Sequence, residues 1–111
     1  MQRQYRLKRR ASFAYVYKKG DRATARNLLL LSARSREGLK IGLSVSKKVG
    51  NAVTRNRVKR LLREAINTVF DKIDKGYMYV IIAHPSIVGQ PFKTVCDELT
   101  LAFSKAGKLK C

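Results

Sequence analysis

Carboxylates are scarce in this sequence: seven Asp and Glu residues stand against 25 Lys and Arg residues. The acids in or beside the basic half of the chain, Asp21, Glu37 and Glu64, are each isolated along it. A nuclease that works through its own metal ions needs clustered carboxylates to hold them. The sequence therefore predicts neither a catalytic residue nor a metal site within the protein itself.

Cysteine and histidine are also sparse. Cys96 and Cys111 form no CxxC pair and no Cys/His cluster, so neither a structural zinc site nor a disulfide partner is supported. With His84 as the single histidine, no Ser-His-Asp or Cys-His arrangement can be assembled. We expect Cys96 to be a small core residue of a helix and His84 to be structural or on the surface.

Long apolar runs are missing as well. The longest, Leu28 to Leu31 and Val80 to Ala83, are far too short to span a bilayer. The basic start of the chain is not followed by the continuous apolar region of a secretory signal. These features predict a cytoplasmic protein with no membrane partner.

What the chain does have is positive charge, concentrated in one half. Of the net charge of +18, residues 1–63 carry 19 bases and two acids, whereas residues 64–111 carry six bases and five acids. The 111 residues, 45% of them hydrophobic, suit one domain with a single modest core. Such a lopsided charge costs stability through self-repulsion and is tolerated where the partner is a nucleic acid. We predict one nucleic-acid-binding domain over residues 1–111.

A basic helix is predicted after Gly50, with Asn51 as its N-cap. Residues of its apolar stripe recur at i, i+3 and i+4 spacing: Val58, Leu61, Leu62, Ala65, Ile66 and Val69. At 100° per residue, the opposite face and its flanks hold Asn56, Arg57, Lys59, Arg60, Arg63 and Asn67. A solvated basic face is the simpler alternative. However, no acid alternates with the bases between Lys47 and Arg63, and arginine favours bidentate phosphate contacts.

The N-terminal part is predicted to be a basic arm followed by a short helix. Residues 1–11 are expected to form a flexible arm that orders on a partner, and Ser12 to cap a helix that ends at Gly20. Phe13 and Tyr17 lie at i, i+4 and so share a face of that helix. They are either core residues or a platform on which unpaired bases stack.

Three strands are predicted, over residues 26–33, 39–46 and 77–83. We expect the first two to form an antiparallel hairpin. Because the basic helix lies between the second and third, these two are expected to pair in parallel, in a small α/β fold with a mixed sheet. A last helix is expected to begin near Pro91 and to end near Gly107.

The run SVSKKVGNAVTRNRVKRLLRE, residues 44–64, resembles the hallmark segment of the bacterial ribonuclease P protein component. Its Arg-Asn-Arg core is Arg55, Asn56 and Arg57. The RLK start, the F-x-x-V-Y-K-x-G helix and the Arg26-Asn27 pair extend the resemblance over the chain. Leu28 to Leu31 stand where relatives can place aromatic residues.

The resemblance implies a fold, a function and a set of binding residues. The fold would be a two-layer α+β sandwich whose βαβ crossover, carrying the basic helix, is left-handed, against the usual rule. The function would be that of the protein subunit of an endonuclease in which a catalytic RNA, holding most of the Mg²⁺, removes the 5′ leader of precursor tRNA. Residues implied in binding the RNA subunit are Lys47, Lys48, Asn51, Arg55, Asn56, Arg57, Lys59, Arg60 and Arg63. Residues implied in binding the leader are Phe13, Tyr17, Arg26, Asn27, Ser44 and Ser46.

Other functions stay open at the level of sequence. A ribosomal or other architectural RNA-binding protein would share the composition and the charge, so it is the main alternative. A stand-alone metal nuclease would need the missing carboxylates. A DNA-binding helix-turn-helix would need a paired helix before the basic one.

Overall fold

The computed structural model describes residues 3–109. The helices are α1 (Arg10–Lys19), α2 (Ala52–Val69) and α3 (Phe92–Lys105). The strands are β1 (Asp21–Thr24), β2 (Leu28–Arg34), β3 (Lys40–Ser44) and β4 (Tyr77–Ala83). Single turns of 3-10 helix lie at Arg3–Tyr5, Phe70–Lys72 and Pro85–Ile87. None of the helices in this part of the chain is long and apolar enough to cross a membrane.

The four strands form one mixed sheet in the order β1-β2-β4-β3. β3 and β4 pair in parallel, which confirms the predicted crossover through the basic helix. The left hand of that crossover stays a prediction. The predicted hairpin between the strands of residues 26–33 and 39–46 is wrong, because β4 lies between β2 and β3 and is the antiparallel partner of β2.

The physical reason for this difference is that β2 and β4 are apolar on both faces and therefore occupy the centre of the sheet. The outer partner of β2 is β1, a strand of four residues that sequence reasoning missed. Three of its four residues are exposed, so it lacks the alternation that would have identified it.

Helices cover both faces of the sheet. On one face, Leu28 and Leu30 of β2 and Ile81 of β4 belong to the main core, together with buried residues of α2 and α3. On the other face, Leu31 and Val80 pack with Val16 of α1 in a smaller cluster. Successive residues of a strand point to opposite faces, so one continuous run, Leu28 to Leu31, serves both clusters.

The N-terminal segment lies against β3 and differs from the irregular arm that we predicted for residues 1–11. The Leu7 N–H donates to the Ile41 carbonyl oxygen over 2.9 Å, and Leu7 is buried. The Tyr5 ring lies 5.1 Å from that of Phe70. Arg6 also forms a parallel bridge with Ile41, so the segment adds to the edge of the sheet at β3. Residues 1 and 2 lie outside the described residues.

Helix α1 begins at Arg10, two residues before the predicted cap, Ser12. Arg9 occupies the cap position and makes no side-chain hydrogen bond to the helix. The Gly20 N–H donates to the Val16 carbonyl oxygen over 2.8 Å and ends the helix at the predicted place. The first turn of α1 therefore has no side-chain cap.

Helix α2 agrees with its prediction. The Asn51 side chain accepts a hydrogen bond from the Thr54 N–H over 2.9 Å, as expected of an N-cap. Five of the six residues of the apolar stripe are buried, and Leu61 is half-buried. The apolar side of α2 thus packs against the core, and its basic side faces outward.

Helix α3 carries the half-buried Cys96, which packs against the main core, whereas Cys111 lies outside the described residues.

Replacing Asn51 by alanine tests the cap. Asn51→Ala is expected to lower the free energy of unfolding by about 1 kcal/mol, because it leaves a first-turn N–H without its acceptor. Urea denaturation at fixed salt measures this. Asn67→Ala, an exposed change inside the same helix, is the control. An equal effect of both changes would contradict the cap.

Candidate nucleic-acid interface

The basic side of α2 forms one wall of an open groove of about 520 Å³. The groove, called the basic groove here, is lined by Arg6, Asn56, Lys59, Arg60 and Arg63, with Glu64 and Asn67 at its border. Four of the predicted RNA-binding residues therefore meet in one place. The other five lie outside the groove, at the start of α2 and in the turn before it: Lys47, Lys48, Asn51, Arg55 and Arg57.

Arg6 completes the basic groove and was missing from the predicted set. Tyr5 and Leu7 anchor the N-terminal segment to the core, and Arg6 between them lines the groove beside α2. The apolar residues on either side of Arg6 were the signal that this segment is anchored to the core. Arg6 therefore lies beside the basic side of α2, although it precedes Arg63 by nearly sixty positions in the sequence.

Arg6 and Arg63 place like charges close together. Burial and then the charge of Arg6 lower the pKa of the Arg63 guanidinium below its ordinary value. The Nε atoms of Arg6 and Arg63 are both buried and have no hydrogen-bond partner. Buried donors without an acceptor cost free energy, and neighbouring cations repel each other. An anion with several oxygen atoms would relieve both effects, and phosphate is such an anion.

A second surface lies on the sheet face that α1 covers. On the face of α1, the strand register arranges residues of β2, β4 and β3 in three rows across the sheet. Two rows are mostly buried: Leu31, Val80 and Gly42, and Ala33, Met78 and Lys40. The third, Leu29, Ile82 and Ser44, is half-buried, and we call it the open row. Helix α1 thus covers only part of this face.

Phe13 lies at the border between the covered and the open part. A Cβ atom added at Gly42 would come within 2.6 Å of two atoms of the Phe13 ring, so only glycine admits the ring at this distance. The Phe13 and Tyr17 ring centroids are 6.4 Å apart, and Tyr17 is 42% exposed. Two aromatic rings therefore stand beside the open row.

Of the predicted leader-binding residues outside α1, three lie at the surface near the open row and one, Asn27, is buried. Ser44 belongs to the open row, Ser46 follows it exposed beyond β3, and exposed Arg26 precedes β2 at the same end of the sheet. Sequence reasoning missed Leu29 and Ile82, which oppose each other in register. These two side chains differ from the adjacent apolar residues of β2 and β4 only in being half-buried. The pattern of apolar and polar residues in the sequence does not reveal that difference.

Asn27 does not reach this surface, so the prediction that it binds the leader is corrected. Asn27 is 2% exposed. Its backbone N–H and its side-chain Nδ2 each donate a hydrogen bond of 2.9 Å to a carboxylate oxygen of Glu98 in α3. Its carbonyl oxygen accepts a bond of 3.0 Å from the N–H of His84. Asn27 thus ties the start of β2 to α3 and to the end of β4.

The residues of these surfaces do not fit a magnesium ion held by the protein. Among residues 3–109, no group of three or more His, Cys, Asp or Glu side chains is placed to hold a metal. Glu64 is the one carboxylate that lines the basic groove. Mg²⁺ is held by oxygen ligands, commonly carboxylates together with phosphates. The described side chains are suited to the phosphates themselves.

Comparison with known proteins places this arrangement in context. The family model described as Ribonuclease P matches residues 1–107. A ribonuclease P protein component of Bacillus cereus strain G9842 is 38% identical over 109 residues, which are 96% of this chain and 95% of that protein. The structure of the Staphylococcus aureus RNase P protein aligns with a TM-score of 0.85 at 30% identity, over 96% of this chain and 98% of that one. The Thermotoga maritima protein aligns with a TM-score of 0.77 at 27% identity, over 86% and 91% of the two chains.

The like charges of Arg6 and Arg63 in one groove predict that sulfate stabilises the protein. Saturation of one anion site at one hundred times its Kd adds about 2.7 kcal/mol to the free energy of unfolding. Urea denaturation in sodium sulfate and in sodium chloride of matched ionic strength measures the gain.

Arg63→Met is expected to lose most of this gain, whereas Lys93→Met, which removes an exposed charge on α3, keeps it. Because sulfate also stabilises proteins by exclusion from their surfaces, only the difference between the two variants reports on the site. Equal gains in both variants would show that no anion binds at Arg63.

Proposed function

The chain belongs to the ribonuclease P protein family, the protein subunits of an endoribonuclease ribonucleoprotein, and on that premise we propose how its surfaces are used. The basic groove and the start of α2 bind the catalytic RNA subunit. The open row and the rings beside it bind the 5′ leader of precursor tRNA. The ribosomal or architectural alternative has no support from the family match over residues 1–107.

The observation that carries this proposal is the pair of partly buried guanidinium groups in the basic groove. Among the described residues, no group accepts a hydrogen bond from the Nε of Arg6 or of Arg63. Folded RNA offers closely spaced phosphates, and arginine binds phosphate through two parallel hydrogen bonds. Neutralising several phosphates also releases counterions, which makes such binding strong and dependent on salt.

The open row suits a single strand better than a duplex. Half-buried Leu29 and Ile82 provide an apolar floor, and Phe13 and Tyr17 provide rings at its side. Bases can be stacked on such rings only when they are unpaired. Every base has a π face, so this mode of binding makes little demand on sequence. Arg26 is exposed at the same end of the sheet, and in this proposal it contacts the phosphate backbone of the RNA leader.

We assign no chemical step to the protein. The Mg²⁺ of the holoenzyme is held mainly by RNA in this proposal, because the described side chains supply no ligand set for it. The protein contributes positive charge and a shaped cleft, which hold the RNA subunit and the substrate leader in place. Hydrolysis of the phosphodiester bond belongs to the RNA subunit.

Salt dependence tests the basic groove. Arg60→Ala removes one exposed guanidinium of the groove and is expected to weaken binding of the RNA subunit. The slope of log K against log salt should fall by about 0.7 to 0.9, the value for one lost phosphate contact. Lys93→Ala, the matched loss of a charge on α3, should leave the slope unchanged. An unchanged slope for Arg60→Ala would place this residue outside the interface.

A leader-specific loss tests the open row. Phe13→Leu keeps apolar volume over Gly42 but removes the ring. The holoenzyme is then expected to bind precursor tRNA more weakly by about 1 to 3 kcal/mol, the contribution of one stacked base. Binding of mature tRNA, which has no leader, should not change. Equal losses for both RNAs would show that Phe13 acts only through packing.

A further inference from the structure

A third surface lies at the opposite end of the sheet from the open row. Arg34 and Tyr77 are paired in register at the end of β2 and the start of β4. Tyr77 precedes Ile82 of the open row by five residues, which corresponds to roughly 17 Å along a strand. The cleft at this end has a volume of about 660 Å³, and Tyr15, Arg34, Arg36 and Tyr77 line it. We call it the distal cleft; it shares no lining residue with the basic groove.

Two cations converge on the phenol of Tyr77. The Lys108 ammonium nitrogen lies 3.9 Å from the centroid of the Tyr77 ring. The nearby Lys108 ammonium, and after it the Arg34 guanidinium, lower the pKa of the Tyr77 phenol below its ordinary value. The residues that line the cleft include two cations, Arg34 and Arg36, and Lys108 lies close by over the Tyr77 ring.

The one carboxylate of the distal cleft is already engaged. Asp74 lines the cleft, and its Oδ1 accepts a hydrogen bond of 3.0 Å from the Gly76 N–H. This bond is part of the turn that precedes β4. Arg36, in the turn after β2, is exposed. Arg34 is exposed as well, so both arginines can meet an anion from outside the protein.

Tyr15 adds an aromatic ring at the edge of the cleft. It is 42% exposed, and its hydroxyl donates a hydrogen bond of 3.1 Å to the carbonyl oxygen of Arg34. This bond fixes the ring while leaving a face of it free. Tyr15 points away from Phe13 and Tyr17, because residues two apart on a helix differ by 200° in direction. Helix α1 therefore presents Tyr15 to the distal cleft and carries Phe13 and Tyr17 on its other side.

We propose that the distal cleft is a separate binding site for single-stranded RNA. The phosphates contact Arg34 and Arg36, and a base stacks on Tyr15. Cations combined with aromatic rings are the composition by which proteins hold unpaired nucleotides. The volume lies within the range of about 300 to 1,000 Å³ typical of sites for small ligands, which includes a nucleotide. A protein partner would require an apolar centre, and the residues that line this cleft are mostly polar.

The test is a titration of the full chain with pentauridylate, followed by NMR signals of the Tyr15 and Tyr77 rings. Both sets of signals are expected to move with one common Kd. Signals of Phe13 report on the open row in the same titration. A response at Phe13 alone overturns the distal site and leaves the proposed function intact, so that the two can fail separately.

Two exposed tyrosines of α1 provide matched variants, since Tyr15 and Tyr17 are each 42% exposed. Tyr15→Leu is expected to raise the Kd that is measured at Tyr77 by about fivefold to one hundredfold, the equivalent of one stacked base. Tyr17→Leu should leave that Kd unchanged. Leucine is a good helix former, so both variants keep α1.

Charge variants complete the test. Arg34→Gln is expected to raise the Kd measured at Tyr77, whereas Lys93→Gln on α3 should not. If both raise it equally, the RNA is attracted only by the overall charge of the chain, and the proposal is wrong. It is also wrong if the Tyr77 signals stay unmoved by RNA, or if Tyr15→Leu leaves their Kd at the wild-type value.

Discussion

The fold must hold two like charges, Arg6 and Arg63, close together against their mutual repulsion, and this is the main constraint on the structure. Arg6 and Arg63 come from opposite ends of the basic half, and each keeps a buried Nε without an acceptor. Both line the basic groove because their neighbours are anchored: Leu7 is buried against the sheet, and Leu62 lies in the main core. The apolar core thus holds a charge arrangement that is unfavourable in the isolated protein and favourable beside phosphate.

The sheet adds a second property, which is that its faces are covered unequally. Helices α2 and α3 cover one face, whereas the ten residues of α1 cover only part of the other. The uncovered row is apolar at Leu29 and Ile82 and is bordered by aromatic rings. The open row lies at one end of the sheet, on the face of α1. At the other end, the distal cleft is lined by Tyr15 of α1 and by Tyr77, whose side chain packs against the main core on the opposite face.

The parts of the molecule that depend on near neighbours in sequence could be predicted. The Asn51 cap and the stripe of α2 involve residues three or four positions apart, and both are present as expected. Pairings between distant residues could not be predicted in the same way. Asn27 was expected on the surface, but its partner Glu98 lies 71 residues further along the chain. The register of β2 with β4, which replaced the expected hairpin, is another such pairing.

The central claim is that this protein assists by binding while an RNA performs the hydrolysis. The most direct test is cleavage of precursor tRNA at a Mg²⁺ concentration too low for the catalytic RNA alone. Addition of the protein is predicted to restore cleavage at the 5′ end, and the protein without the RNA is predicted to leave the precursor intact. Cleavage by the protein alone, or no effect of the protein on the RNA, would contradict the account.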